Sequence, residues 1–286
     1  MKTNEQVLSR MKVDLTLRGF SPHSQKVYLN KVDIFLNYCN KNAEEMDEQD
    51  IRDYMYYLIN VRKLAPNTVN VYHAAICFLF AVTLNRNLNY RQVPRMKVPL
   101  NLPDILSKEE ISLLFENELS LRNKTILMTT YSAGLRISEI CKLKVSDIDV
   151  KSMRIFIKSG KGRKDRYAIL SQKNIEILRE YWQKYHTLIQ KTPDGYLFVG
   201  QNRKDHLTNK SIHRFFKIAI ERAGINKKVS MHTLRACFAT HLLESGMDIF
   251  SIKELLGHSC ISSTMVYLRL MEFGDKIKSP LDLFDM

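Results

Sequence analysis

Apolar positions in the first hundred residues recur at helical spacing. Behind Ser21 and Pro22, a capping side chain and a residue whose fixed φ suits a first turn, Val27, Val32, Ile34, Phe35 and Tyr38 form one stripe. Asp47 predicts the cap of a helix carrying Ile51, Tyr54, Met55, Leu58 and Ile59. Pro66 opens another with Val69, Val71, Ala75, Phe78 and Leu79 inside, and a helix starting near Asn4 holds Val7, Met11 and Leu15. Four such helices imply a small helical bundle over residues 1–88. The period is lost over 89–103 (NYRQVPRMKVPLNLP), where three prolines remove backbone donors and predict an extended linker.

Beyond the linker, Ser107-Lys-Glu-Glu110 has the form of a capping box, and residues 123–144 read as helical, apolar as far as Gly134. The period then changes. Arg154–Ile157 and Arg166–Leu170 are short β-type runs flanking SGKGRKD, a hairpin with a basic, glycine-containing turn. Helical spacing returns over 172–191, 208–223, 232–245, 248–256 and 262–271. The expected fold class is mainly α: a helical domain (1–88), a linker (89–103), a mostly α domain with a small antiparallel β-sheet (104–272) and a C-terminal tail (273–286).

Composition narrows the function classes. With 286 residues and 45% hydrophobic, the chain can bury two cores. Its formal charge of +14 favours a polyanionic partner, duplex nucleic acid being the commonest. The excess is spread, +5 over the first hundred residues and +9 over the rest, so both parts can face one polyanion. Arg91, Arg95 and Lys97 in the linker, and Lys158, Arg163 and Lys164 in the hairpin, are candidate phosphate contacts or merely solubilising charges. Cys39, Cys77, Cys141, Cys237 and Cys260 are odd in number, widely spaced and free of a C-x-x-C pair, which argues against a disulfide framework or zinc site and for mostly buried thiols in a reducing compartment. The N-terminus lacks a signal-peptide pattern, and the longest apolar stretch, Ala74 to Leu84, is too short to span a bilayer, so a cytoplasmic, nucleoid-associated protein without a membrane partner is expected.

Five segments carry candidate chemistry: AGLRISEI (133–140), GKGRKDR (160–166), HTLRACFATH (232–241), LLGHS (255–259) and TMVYL (264–268). Breaking a phosphodiester without a metal needs guanidiniums for the charge on the non-bridging oxygens, a nucleophile, and groups that take and give protons. Arg136, Arg235, His232, Lys161 and Tyr267 are that set, and His232 and Arg235, three apart on a helix, share a face. No H-E-x-x-H, paired-Asp cluster or phosphate-binding loop points to a metal or cofactor, and none is expected.

The order and spacing of these segments, with the H-x-L-R step, the interval of 23 from Arg235 to His258 and that of nine from His258 to Tyr267, resemble the tyrosine recombinase (phage integrase) family, especially its compact two-domain Xer-like members. SPHSQKVYLNKVDIFLNYC is similar to the opening helix of that family's core-binding domain, so the resemblance covers nearly the whole chain. It implies the tyrosine recombinase fold, a helical core-binding domain followed by a catalytic domain, and no cofactor. Arg136 and Arg235 would clamp the scissile phosphate and Tyr267 would attack it, leaving a 3′-phosphotyrosyl bond. His232 would be the general base, Lys161 the acid for the 5′ oxygen, and His258 a ligand of the phosphate. Glu139 resembles the acidic position that supports the site, its plainer reading being a partly exposed helix charge. Lys158 and Lys164 compete with Lys161, which alone matches the family's GKG position. Gly257-His258 also has the form of a simple helix end. The family often has His-Thr-Phe-Ala after H-x-L-R, where this chain has Ala236-Cys237-Phe238-Ala239, outside the catalytic set.

The resemblance further implies double-stranded DNA with an inverted-repeat core site, a homotetramer on two sites, an accessory protein in some cases, and a tail (Leu281, Leu283 and Phe284 in 277–286) that contacts a neighbour in trans. The role would be integration, excision or resolution of a mobile element or replicon, or resolution of chromosome dimers. Rival readings are a type IB topoisomerase and a non-catalytic DNA-binding protein. The helical first domain and compact size disfavour the first, and the complete residue set disfavours the second.

Overall fold

A computed structural model describes residues 3–89, 92–99, 104–158, 165–189, 195–200 and 205–270. The chain forms two compact units, Met1–Leu100 and Asn101–Met286, each with its own core.

The first unit is a bundle of α1 (Asn4–Leu17), α2 (Pro22–Cys39), α3 (Glu48–Tyr56) and α4 (Pro66–Phe78). Each begins where local chemistry satisfies its first amides. Thr3 and Gln6 make a reciprocal capping box, Ser21 accepts from the Ser24 amide ahead of Pro22, and Asp47 accepts from the Gln49 and Asp50 amides. The last two helices end in π-helical turns, Tyr57–Val61 and Leu79–Thr83. Val7, Met11, Leu15, Phe35, Tyr54 and Phe80 lie in the core. Two expected core positions differ: Tyr38 and Val71 are exposed, and Leu36 is buried instead, because α2 presents positions 32, 35 and 36 to α1 and α4.

The connecting segment is not free along its whole length. Asn70 donates from Nδ2 to the Met96 carbonyl and accepts from the Met96 amide, both at 3.0 Å, imitating a backbone partner. Buried His73 meets the Val93 carbonyl at 2.8 Å, and Val93 is itself buried. An extended chain has no internal partners for its amides and carbonyls, so side chains of α4 supply them. Val93 and Met96 therefore pack on the first core, within a segment whose proline pattern reads as linker.

The second unit contains α5 (Lys108–Glu116), α6 (Leu121–Ala133), α7 (Ile137–Cys141), β1 (Ile148–Asp149), β2 (Arg154–Ile157), β3 (Arg166–Ile169), α8 (Gln172–Ile189), α9 (Asn209–Arg222), α10 (Met231–Glu244), α11 (Ile249–Leu256) and α12 (Ser262–Leu268). The Ser107 capping box opens α5, with Ser107 N donating to Glu110 at 2.8 Å and Glu110 N donating to Ser107 at 3.2 Å. The strands form an antiparallel sheet in order β1-β2-β3, with Ile157 opposite Arg166 and Ile155 opposite Ala168. The two-residue β1 had no sequence signal. The helical stretch expected over 123–144 is broken: Gly134, at φ 58°, ends α6, and Arg136 is the extended residue before α7, not a helix-interior one. Among the described helices α10 is buried on almost every side, and it packs against α6, α9, α11 and α12. No described helix is long and apolar enough to cross a membrane.

Candidate active site

Two helix ends build the site. The last carbonyls of a helix lack intrahelical donors and carry the negative end of its dipole, so they attract cations. The end of α6 offers the Gly134 carbonyl, which accepts from Arg235 Nη1 at 2.5 Å. The end of α11 offers three: Leu256 accepts from Arg235 Nη2 at 2.6 Å, Gly257 from Arg136 Nη2 at 3.3 Å, and Leu255 from Arg166 Nε at 2.9 Å. Both ends turn on glycines with positive φ, where an added Cβ would strike side chains: at Gly134 it would come within 2.5 Å of Phe238, and at Gly257 within 2.7 Å of Arg166.

Glu139 balances this positive charge. Its Oε1 accepts from Arg136 Nη1 and Arg166 Nη1, each at 2.7 Å, and its Oε2 from the Arg136 amide and Arg166 Nη2, each at 2.8 Å. Arg235 Nη1 lies 3.9 Å from Oε2. Burial alone would push the carboxyl up, but hydrogen bonds and charge from Arg166 and then Arg136 hold it down at about 2. The exposed-helix-charge reading of Glu139 is thereby replaced: only 6% of its side chain is accessible.

Above this network lies an open cavity of about 720 Å³, lined by Arg136, His232, Arg235, His258 and Tyr267 together with Ser230 and Ser263. Five of the six expected catalytic residues thus converge on one space. His232 and Arg235 reach it from the same face of α10, and Tyr267 from α12. Tyr267 and His258 have ring centroids 6.3 Å apart at 25°. His258 Nδ1 meets the hydroxyl of fully buried Thr264 at 2.9 Å, tying the loop after Gly257 to α12.

The cavity's charge shapes its titrations. Burial, then repulsion by Arg235, Arg136 and Arg166, pulls His258 down to about 4, so it is neutral near pH 7. His232, although exposed, is lowered by the same kind of causes, partial burial first and then Arg235 and Arg136. Burial raises the Tyr267 phenol, while Arg235 and Arg136 pull the other way. Arg235 falls to about 10 through burial and its neighbour Arg136, and stays charged at neutral pH.

Lys161, Arg91, Arg163 and Lys164 lie outside the described residues. Arg95, Lys97 and Lys158 are exposed, as a phosphate contact or a solubilising charge would be. Of the cysteines, Cys141 and Cys237 are buried, Cys39 and Cys77 half-buried, and Cys260 exposed, so two of the five are buried thiols where most were expected to be. Arg166 and Thr264 belong to the site and were not singled out from the sequence, whereas Gly257 ends α11 as its helix-end pattern predicts. Arg166 had a signal: alternation along β3 puts it on the inner face with Ala168, and an arginine there needs a partner. Thr264 had none, because its role depends on which chain passes beside it.

The chain is similar to known proteins over most of its length. The phage integrase family matches residues 104–272, and the family's N-terminal SAM-like domain matches residues 7–90. A tyrosine recombinase of Thermosipho africanus is 33% identical over 267 residues, covering 90% of this chain and 92% of the relative. A candidate integrase/recombinase of Sinorhizobium fredii, y4qK, is 40% identical over 262 residues, covering 91% and 83%. Among solved structures, the XerH site-specific recombinase bound to its palindromic difH substrate superposes with a TM-score of 0.73 at 23% identity, covering 89% of this chain and 78% of that one. The chain belongs to the phage integrase family and is a tyrosine-type site-specific recombinase.

Proposed function

We propose that this cavity cleaves and rejoins DNA strands through Tyr267. Arg136 and Arg235 take the non-bridging oxygens of one phosphate, and the Tyr267 oxygen attacks phosphorus in line with the 5′ oxygen. The P–O5′ bond breaks as the 3′-phosphotyrosyl bond forms. The phenol is raised by burial and reaches the site protonated, so it needs a base. His232, lowered and hence neutral at pH 7, accepts that proton. Lys161, by family likeness, gives a proton to the 5′ oxygen, and neutral His258 donates one hydrogen bond to the phosphate. Attack by the 5′ hydroxyl of a partner strand reverses these steps without ATP or metal.

The observation that carries the reading is the convergence of Tyr267 with both arginines and both histidines on one cavity. The solved XerH complex and the charge of +14 support duplex DNA with an inverted-repeat core site as the partner. Strand exchange would need four chains on two duplexes, with residues 277–286, which lie outside the described residues, contacting a neighbour. The cytoplasmic nucleoid is the place of action, and the outcome is integration, excision or resolution of a mobile element or replicon.

Trapping on a nicked duplex tests the chemistry. The wild-type chain should form an SDS-resistant adduct and Tyr267→Phe none; an adduct that survives Y267F ends the assignment. Sedimentation of the trapped complex, with and without residues 277–286, reads the assembly, and strand exchange by complexes of two chains rules out the tetramer.

A further inference from the structure

We propose that Arg166 is a positioning residue for strand cleavage: it locks Glu139, and through Glu139 the guanidinium of Arg136, to the end of α11 that carries Gly257 and His258. The inference rests on the cleavage reading above.

Arg166 does not line the cavity; its partners, Glu139 and the Leu255 carbonyl, stand directly behind Arg136 and Gly257, which do. Its Nη1 and Nη2 grip the two oxygens of Glu139 at 2.7 and 2.8 Å, and its Nε donates to the Leu255 carbonyl at 2.9 Å. A carboxylate offers about four acceptor directions. Two of those on Glu139 go to Arg166 and two to the side chain and amide of Arg136. The position of the Arg136 guanidinium is thus set by a carboxylate whose two oxygens Arg166 also grips. The seat for Arg166 is built. Only 7% of its side chain is accessible, and the missing Cβ of Gly257 leaves room for its stem. Since Gly257 also gives its carbonyl to Arg136, one backbone turn registers both arginines. A planar fork makes these three directed bonds at once, and a lysine ammonium cannot reproduce them. Arg166 also adds a third positive charge around one carboxylate, which leaves the cavity cationic toward a phosphate.

The test uses the full chain and, as probe, the duplex that wild type selects from random-sequence DNA, nicked at each position in turn. Binding and adduct formation are measured separately for R166K, R166M, E139Q and R166K/E139Q, with circular dichroism for folding. R166K should bind the probe within about threefold of wild type and form adduct at least about tenfold more slowly, since small misplacements of reacting groups cost rate more than affinity. Because both residues act through one contact, the double variant should be no slower than about threefold below the slower single variant. Adduct formation by R166K at the wild-type rate overturns the inference. So does a rate loss matched by equal loss of DNA affinity or of folded protein, or a double variant whose loss is the product of the two. If R166M does not fold, R166K decides. A wild-type chain that forms no adduct at any nick overturns the cleavage reading and this inference with it, whereas normal wild-type cleavage with an unaffected R166K overturns the inference alone.

Discussion

A single carboxylate, Glu139, lies among three guanidiniums and is held charged by two of them. Its folded pKa of about 2 lies below the ordinary carboxylate range, so it contributes stability that is present above pH 5 and is lost as pH falls toward 2. The shift corresponds to about 3 kcal/mol at neutral pH. Urea denaturation should therefore find E139Q less stable than wild type by roughly that amount near pH 6, with the gap closing by more than half near pH 3. A gap unchanged between those two pH values would mean that Glu139 does not gain its stability from the arginines. Neither the depth of burial nor the arginine partners of this residue can be read from S-E-I in a helical pattern; the capping-box relation of Glu139 to Arg136 depends on the helix ending at Gly134.

At the scale of elements, the ends of helices matter more than their middles. Gly134 and Gly257 both end helices with positive φ, and their carbonyls accept from Arg235 and Arg136, respectively. Alanine at either position meets the left-handed penalty of about 1–2 kcal/mol and an overpacking cost of about 1–3 kcal/mol against Phe238 or Arg166. Gly224, also at positive φ, has nothing within 4 Å of an added Cβ. Thermal melts should thus rank G134A and G257A well below G224A, which loses only about 1 kcal/mol, and only the first two should slow adduct formation. Equal destabilisation by all three would show that the backbone alone, and not the packed neighbour, sets the cost. The hairpin strands, the caps at Ser21, Asp47 and Ser107, and most helices were legible in the sequence because each follows from residues within a few positions of one another. The π-turns and the two-residue β1 were not, being too short to leave a period, and neither was the docking of Val93 and Met96 on α4, which joins residues 20 and 26 positions apart.

For the whole molecule, the positive charge is shared between the two units, and the proposed ligand is a polyanion. Duplex binding should then be driven largely by counterion release. With as few as six phosphate contacts, Kd should weaken by about a thousandfold between 50 and 200 mM salt. A binding curve that barely moves over that range would contradict a backbone-dominated interface. By itself, the order of residues determined the two helical blocks, the hairpin between β2 and β3, and the identity of the groups able to do phosphoryl chemistry, because spacing and side-chain type are local properties. Tertiary structure alone decided that Arg136, His232, Arg235, His258 and Tyr267 share one cavity, that Arg166 stands behind them, and that backbone carbonyls at two helix ends hold the guanidiniums in place. Those relations join residues far apart in the chain, as Arg136 is 121 positions from Gly257, and only packing brings such residues within reach of a hydrogen bond.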